Sequence, residues 1–175
     1  MLSALVPTLE TPRLTLRGHT RQDLDASVAL WAAPEVVRYI GGRAFSREET
    51  WSKLLRYVGH WAVLGFGYWV VCERATGRFV GEVGFADFER DLTPSLSGMP
   101  EGGWVLAPWA HGKGFATEAL TAALGWLETE RGVRRTACII DPDNAASRRV
   151  AAKVGYREQV RTTYKGATVD VLFRA

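Results

Sequence analysis

One stretch of this chain predicts how it folds, and it reads His111-Gly112-Lys113-Gly114-Phe115-Ala116-Thr117-Glu118-Ala119-Leu120. A strand-like run at 103–106 precedes it, and an amphipathic helix pattern follows it. The two glycines allow a tight bend and a close approach of the backbone to a bound group. The helix start adds unpaired N–H groups and the positive end of a helix dipole. The stretch therefore predicts an anion site suited to a phosphate or pyrophosphate, with an ordinary strand-to-helix turn as the alternative.

Two known phosphate-binding patterns fit this stretch poorly. A P-loop requires Ser or Thr after its Lys, whereas Gly114 follows Lys113. A dinucleotide fingerprint requires a third glycine, and Thr117 stands at that position. Its acidic ribose partner would be Asp141, and the motif follows four predicted strands and two predicted helices instead of opening the fold. A dinucleotide enzyme is therefore the weaker alternative.

Composition predicts one globular domain over residues 1–175. Hydrophobic residues make up 47% of the chain, enough for a real core, and a net charge of +3 without a long basic run argues against nucleic acid. No apolar run reaches the ~18 residues of a membrane span. The first seven residues are too short a run for a signal peptide, so we expect a cytoplasmic protein. Three scattered His and two strand-like Cys have no ligand spacing, so we expect no metal.

Periodicity and turn signals predict the element order β, α, α, β, β, β, α, β, α, β, β. Thr20 with Asp23, and Ser46 with Glu49, resemble capping boxes that open the first two helices. The core-facing positions expected on them are Leu24, Val28 and Trp31, then Trp51, Leu54, Leu55 and Val58. A polar loop is expected over residues 87–100. Only the helix at 113–131 suits a parallel crossover, which predicts a mixed α+β sheet.

A second constellation of polar residues begins about thirty residues beyond the glycines. Asn144 and Ser147 are three positions apart at a predicted helix start, so both side chains can face one cleft. The alternative is a capping role, in which Asp143 or Asn144 accepts hydrogen bonds from unpaired helix N–H groups.

Together the two motifs resemble the GNAT superfamily of N-acetyltransferases, and specifically its Rim-type branch, which acetylates ribosomal protein N-termini. Gly114 and Ala116 take the small positions of the family motif Arg/Gln-x-x-Gly-x-Gly/Ala, and residues 109–119 approximate the branch version Trp-x-x-Gly-Lys-Gly-x-Ala-Thr-Glu-Ala. The tail Asn-x-x-Ser…Lys-x-Gly-Phe/Tyr matches at Asn144, Ser147, Lys153, Gly155 and Tyr156. The resemblance covers nearly the whole chain, starting at Thr11-Pro12-Arg13.

The resemblance implies a mixed, mostly antiparallel sheet of about seven strands with helices on both faces. Its fourth and fifth strands would splay apart and hold acetyl-CoA, with pantetheine beside residues 104–106 and the pyrophosphate on the N–H groups of residues 112–117. The implied reaction is acetyl transfer to a primary amine, with CoA as product. The residues expected at the cofactor are Leu106, His111, Gly112, Lys113, Gly114, Phe115, Ala116, Thr117, Asn144 and Ser147.

Two departures from the family pattern bear on catalysis. His111 replaces the usual Arg or Gln, which affects little if backbone N–H groups bind the phosphates. Ala151 stands where many relatives carry a Tyr that serves as general acid, so the resemblance implies Ser147 as the acid, with water as the alternative. Glu101 best matches the family's base, and Glu82 and Asp87 are its rivals.

The acceptor side is expected over residues 24–61 and the 87–100 loop. This region holds the aromatic residues Trp51, Tyr57 and Trp61, and we expect an acceptor other than a polyamine. We expect an α-amine, foremost a peptide or protein N-terminus. A small-molecule amine such as an amino acid or antibiotic, and a CoA-binding sensor without activity, are the alternatives. A monomer and a homodimer are both compatible with the sequence.

Overall fold

A computed structural model describes residues 5–175, so residues 1–4, where the N-terminal apolar run begins, lie outside the described residues. The strands are β1 (Leu9–Glu10), β2 (Leu14–Arg17), β3 (Tyr68–Glu73), β4 (Phe79–Ala86), β5 (Glu101–Leu106), β6 (Thr136–Ile140), β7 (Glu158–Tyr164) and β8 (Ala167–Arg174). The helices are α1 (Leu24–Ala32), α2 (Pro34–Val37), α3 (Arg47–Leu64), α4 (Phe115–Arg131) and α5 (Ala145–Lys153).

All eight strands form one sheet in the order β1-β2-β3-β4-β5-β6-β8-β7. Neighbouring strands are antiparallel except β5 and β6, which are parallel and are joined through α4. Their pairing register contains one residue pair, Glu101 with Ala137, and the two strands diverge beyond it. The predicted mixed sheet with a single parallel crossover is therefore confirmed. The eighth strand, β1, was missed because two residues carry no readable alternation.

Helices cover both faces of the sheet, as predicted. On β5, Trp104 and Leu106 pack with the cluster around α4, whereas Val105 packs with the residues of α1 and α2 on the opposite face. The 87–100 loop extends the second cover, because its Leu92 and Leu96 pack on strands β6 and β8. Within residues 5–175, none of the helices combines the length and apolar character needed to cross a bilayer.

Helix α1 buries Trp31 as predicted, but the rest of its buried stripe differs from the prediction. Leu24 and Val28 are only half-buried, whereas Ser27 and Trp31 are buried. The reason is Glu82 on β4, whose carboxylate accepts hydrogen bonds from Ser27 Oγ at 2.8 Å and from Trp31 Nε1 at 2.9 Å. A buried carboxylate must be hydrogen-bonded, so the helix turns its donors toward the sheet.

Helix α3 begins with the predicted capping box. Ser46 Oγ accepts from the Glu49 amide at 3.1 Å, and the Glu49 carboxylate accepts from the Ser46 amide at 2.7 Å. Leu54 is buried as predicted, and the other buried residues of this face are Thr50, Tyr57 and Trp61. Leu55, predicted to be buried, is 49% exposed. Tyr57 and Trp61 are buried instead because their rings pack on Tyr68 and Trp69 of β3.

Candidate functional site

The glycine loop before α4 has the geometry of an anion site. Gly112 and Gly114 have φ of +75° and +78°, in the left-handed region that favours glycine. Gly114 is the N-cap of α4 and supplies no side-chain cap to the first N–H groups of that helix. A Cβ at Gly112 would meet nothing within 4 Å, so the loop faces open space. These N–H groups can therefore bind an anionic group.

Side chains from the start of β2 hold this loop in position. Arg13 donates from Nη1 to the Lys113 carbonyl at 2.9 Å and from Nε to Glu118 Oε2 at 2.7 Å. Its guanidinium also lies 4.6 Å from the centroid of the Phe115 ring. The carboxylate of Glu118 also accepts one hydrogen bond from the Thr11 hydroxyl and one from the Arg13 amide, and these donors outweigh burial and lower its pKa. Neither Glu118 nor Arg13 was predicted to position the loop.

The predicted cofactor residues of this segment differ in how their side chains are placed. His111 Nε2 lies 2.8 Å from the Leu106 carbonyl, so the imidazole is directed back to the end of β5. Phe115 and Leu106 are both buried in the core, so their side chains do not face a ligand at the loop surface. The Lys113 ammonium lies 4.7 Å from the centroid of the Trp109 ring. Backbone groups therefore dominate this part of the site.

A cavity of about 620 Å³ lies where β5 and β6 diverge. Its lining includes Glu101, Trp104, Asn144 and Ser147, together with side chains from α1, α3, β3 and the β7–β8 turn. Trp104 Nε1 is buried there without a hydrogen-bond partner among residues 5–175. A buried donor of this kind is costly unless a ligand supplies an acceptor.

Asn144 and Ser147 line the same cavity, and the capping alternative is also correct. Asn144 Oδ1 accepts from the Ser147 amide at 3.0 Å and so caps α5. This bond uses the carboxamide oxygen and the backbone of Ser147. The NH₂ group of Asn144 and the hydroxyl of Ser147 are not part of it, so capping and ligand binding are compatible at this helix start.

The three carboxylates considered as the base have different surroundings. Glu101 lines the cavity, whereas Glu82 is buried beneath α1 and Asp87 accepts hydrogen bonds from the amides of Glu89 and Gly98. Burial acts to raise the pKa of Glu82, but its neighbours His19, Ser27 and Trp31 outweigh it and lower that pKa. Only Glu101 of the three faces the cavity.

A guanidinium that sequence reasoning missed holds Glu101. Arg90, in the 87–100 loop, donates from Nε to Oε2 at 2.7 Å and from Nη2 to Oε1 at 2.8 Å. Its Nη1 donates to the Tyr164 hydroxyl at 3.1 Å. Burial acts to lower the pKa of Arg90, and its bonds with Glu101 and Tyr164 more than offset this. A loop arginine eleven residues from its partner leaves no periodic signal in the sequence.

The opposite side of the cavity is aromatic. Tyr57 and Tyr68 stack with ring centroids 4.3 Å apart, and burial raises the pKa of both phenols. Gly103 on β5 makes room for this pair, because a Cβ there would lie 1.9 Å from the Tyr68 hydroxyl. Tyr57 lies in the region expected for the acceptor, while the contribution of Tyr68 from β3 was not predicted.

Comparison with known proteins identifies the family of this chain. A family model described as an acetyltransferase (GNAT) domain matches residues 13–157. YoaA of Bacillus subtilis (strain 168), an uncharacterized N-acetyltransferase, is 28% identical over 156 residues, which cover 89% of this chain and 85% of YoaA.

Solved structures agree with this match. A GNAT-family acetyltransferase from Bordetella pertussis aligns with a TM-score of 0.85 and 27% identity, over 97% of this chain and 99% of the other. RimL, a ribosomal L7/L12 α-N-protein acetyltransferase in complex with coenzyme A, aligns with a TM-score of 0.75 over 96% of this chain and 97% of RimL. At 16% identity, the likeness to RimL shows the fold alone.

Proposed function

This chain belongs to the GNAT superfamily of N-acetyltransferases, and from that premise we propose that it acetylates the α-amine of a peptide or protein N-terminus. The activity class, acetyl transfer to nitrogen, follows from the family. The choice of an α-amine, and with it the assignment to the Rim-type branch, is the proposal. A RimL enzyme that acts on protein α-amines shares this fold, which is compatible with the proposal.

The residues around the cavity fit acetyl-CoA. Trp104 Nε1 is an unpartnered buried donor in the described part of the chain, at the point where β5 and β6 separate. The N–H groups of residues 112–117 would bind the pyrophosphate, and Leu106 and Asn144 would flank the pantetheine. Bound there, acetyl-CoA supplies an acetyl group as a reactive thioester. The same residues would bind CoA after the reaction.

We assign the proton transfers to Glu101 and Ser147. A new bond forms between the amine nitrogen and the acetyl carbon, and the carbon–sulfur bond breaks. Glu101 receives the proton that the nitrogen loses, directly or through one water, on lone pairs that Arg90 does not use. Ser147 donates a proton from its hydroxyl to the departing sulfur and recovers one from solvent, while Glu101 releases the amine proton to solvent. Their common position on the cavity lining supports these roles.

The α-amine is favoured by the cost of deprotonation, since only a neutral amine can attack. A lysine amine has a pKa of ~10.4 and an α-amine of ~7.7–8.0, so at pH 7 deprotonation costs ~4.6 kcal/mol for the first and ~1–1.4 kcal/mol for the second. Ala151 offers no phenol, and the base candidate Glu101 is held by Arg90. A site with this limited acid–base equipment suits the α-amine.

One observation carries the proposal, namely that Glu101, Asn144 and Ser147 line one cavity at the divergence of β5 and β6. Peptides with one internal Lys and either a free or a blocked N-terminus test it, with CoA release as the assay. We expect the free peptide to react at least ~10²-fold faster at pH 7, in line with the neutral fractions of the two amines. Equal acetylation of the blocked peptide at its Lys would refute the α-amine assignment.

Three further properties of the chain stay predictions. The single-domain organisation over residues 1–175, a cytoplasmic location and a homodimer are each compatible with the fold. Sedimentation of the purified chain distinguishes a monomer from a homodimer.

A further inference from the structure

Lys53 on α3 is a cation in an aromatic box at the cavity. Its Nζ lies 4.2 Å from the centroid of the Trp31 ring and 5.4 Å from the centroids of Phe45 and Tyr57. The side chain lines the cavity that also contains Glu101. Among the described side chains of residues 5–157 and 159–175, this ammonium has neither an ion pair with a carboxylate nor a hydrogen bond.

The charged groups around Lys53 leave it without a counter-ion. Arg56 on the same helix and Arg90 in the 87–100 loop repel the ammonium, and Glu82 on β4 attracts it. The Glu82 carboxylate is bound to Ser27 and Trp31, and that of Glu101 to Arg90. Burial first, and then the two arginines, lower the pKa of Lys53 to about 8. The Lys53 side chain is half-buried, and a cation that has lost part of its hydration is stabilised by a paired anion.

We propose that Lys53 binds a carboxylate of the acceptor, so that the preferred acceptor is a primary amine with a carboxylate close to it. This rests on the proposed function, and it adds a charge requirement that an α-amine alone does not impose. A ligand carboxylate supplies the counter-ion that Lys53 lacks among the described side chains. The resulting charge-assisted hydrogen bond fixes the amine at one end of the cavity. The carboxylate can come from an acidic side chain near a peptide N-terminus or from a free amino acid.

Matched acceptors measure this charge requirement. Peptides with Glu or Gln as second residue are compared by kcat/KM, and free alanine is compared with alaninamide after correction for the fraction of neutral amine. We expect the carboxylate member of at least one pair to react ~10-fold to 100-fold better, the range for a hydrogen bond between charged groups. The pair that discriminates identifies the source of the carboxylate.

Two variants connect that preference to Lys53. Lys53→Met should reduce the discrimination to about one without changing KM for acetyl-CoA, and Lys53→Arg should keep part of it. Arg47→Met removes a charge from an exposed position of the same helix, outside the cavity, and should leave the discrimination unchanged. A wild-type enzyme that treats both members of each pair alike, or a Lys53→Met enzyme that still discriminates, would overturn the inference.

A binding measurement separates this inference from the proposed function. The chain has four lysines, Lys53, Lys113, Lys153 and Lys165, so isotope-labelled lysine side chains can be titrated individually by NMR. We expect the pKa of Lys53 to rise by a unit or more with the Glu peptide and to stay near 8 with the Gln peptide. A rise without acetylation contradicts the proposed function alone. Acetylation without a rise contradicts the role of Lys53 alone.

Discussion

The glycine loop and the cavity are built on different principles. The glycine loop does not line the cavity, and it relies on backbone N–H groups, left-handed glycines and a helix start, all within residues 106–117. The cavity relies on side chains from separate segments, among them Trp31, Lys53, Tyr68 and Arg90. The loop can be recognised in a local sequence. The cavity exists only once the sheet and helices have brought distant residues together.

Gly114→Val should abolish acetyl-CoA binding at the glycine loop. Acetyl-CoA at 100 times its Kd should stabilise the wild type by ~2.7 kcal/mol, or roughly 5–10 °C in Tm at ~2–4 °C per kcal/mol. The branched side chain would fill the space of the pyrophosphate, so we expect no ligand-induced shift by thermal unfolding. Gly132→Val is the matched control, because Gly132 has φ +66° at the other end of α4. It should lose Tm from the same strain yet keep the ligand shift, and a full shift in Gly114→Val would contradict the placement of the phosphates.

Ser147→Ala should affect turnover more than binding. If its hydroxyl protonates the departing sulfur, kcat should fall by ~10²-fold or more, the lower end for a positioned acid. The cap of α5 uses only the backbone of Ser147, so the helix should survive the change. Steady-state kinetics decide the point, because loss of a mere pantetheine contact would raise KM with kcat little changed.

Glu101→Gln should have an effect that depends on pH. Below the pKa of the acceptor amine, a base must remove a proton, so kcat/KM should fall by roughly 10²-fold. Above that pKa the amine is already neutral, and the defect should diminish as pH rises. Asp87→Asn is the control, since Asp87 does not line the cavity, and its pH–rate profile should follow the wild type. A constant defect of Glu101→Gln across pH would exclude it as the base.

Asp170→Asn should produce the smallest effect, on stability alone. Asp170 on β8 accepts hydrogen bonds from Arg161 and from Arg148, which lies on α5 beside Ser147. Arg161 foremost lowers the pKa of Asp170, so its stabilisation is present above the unfolded pKa of ~3.9 and is lost as pH falls below it.

Denaturant unfolding of Asp170→Asn should show a loss of about 1 kcal/mol at pH 7, because the arginines are partly exposed and screened by solvent. The difference from the wild type should diminish as pH falls below the unfolded pKa of ~3.9 and should vanish once pH is below the lowered folded pKa of Asp170. Asp25→Asn changes a carboxylate that is 84% exposed, and it should cost less at either pH. A loss for Asp170→Asn that persists unchanged in acid would show that its ion pairs are not the cause.

The contrast between the glycine loop and the cavity also explains what could be predicted from the sequence. The glycine loop, the helix start at Asn144 and the parallel crossover were predictable because each depends on residues close together in the chain. On α1, Trp31 was predicted correctly and Leu24 and Val28 wrongly, because Ser27 faces the core to meet Glu82 from a strand more than fifty residues away. Arg90 and Lys53 acquire their meaning from partners in other elements, so no local pattern could reveal them.

Because a single residue pair joins β5 to β6, the sheet is almost divided at its centre. Five strands on one side and three on the other form two plates that meet near Glu101 and Ala137. Beyond that pair, no strand among residues 5–175 pairs with the side of β5 that faces β6. This central strand therefore has the unpaired peptide groups of an edge strand. Amide hydrogen exchange in β5 should be fast in the ligand-free protein and slow when a ligand occupies the space between β5 and β6. A ligand bound there would take the position of a neighbouring strand.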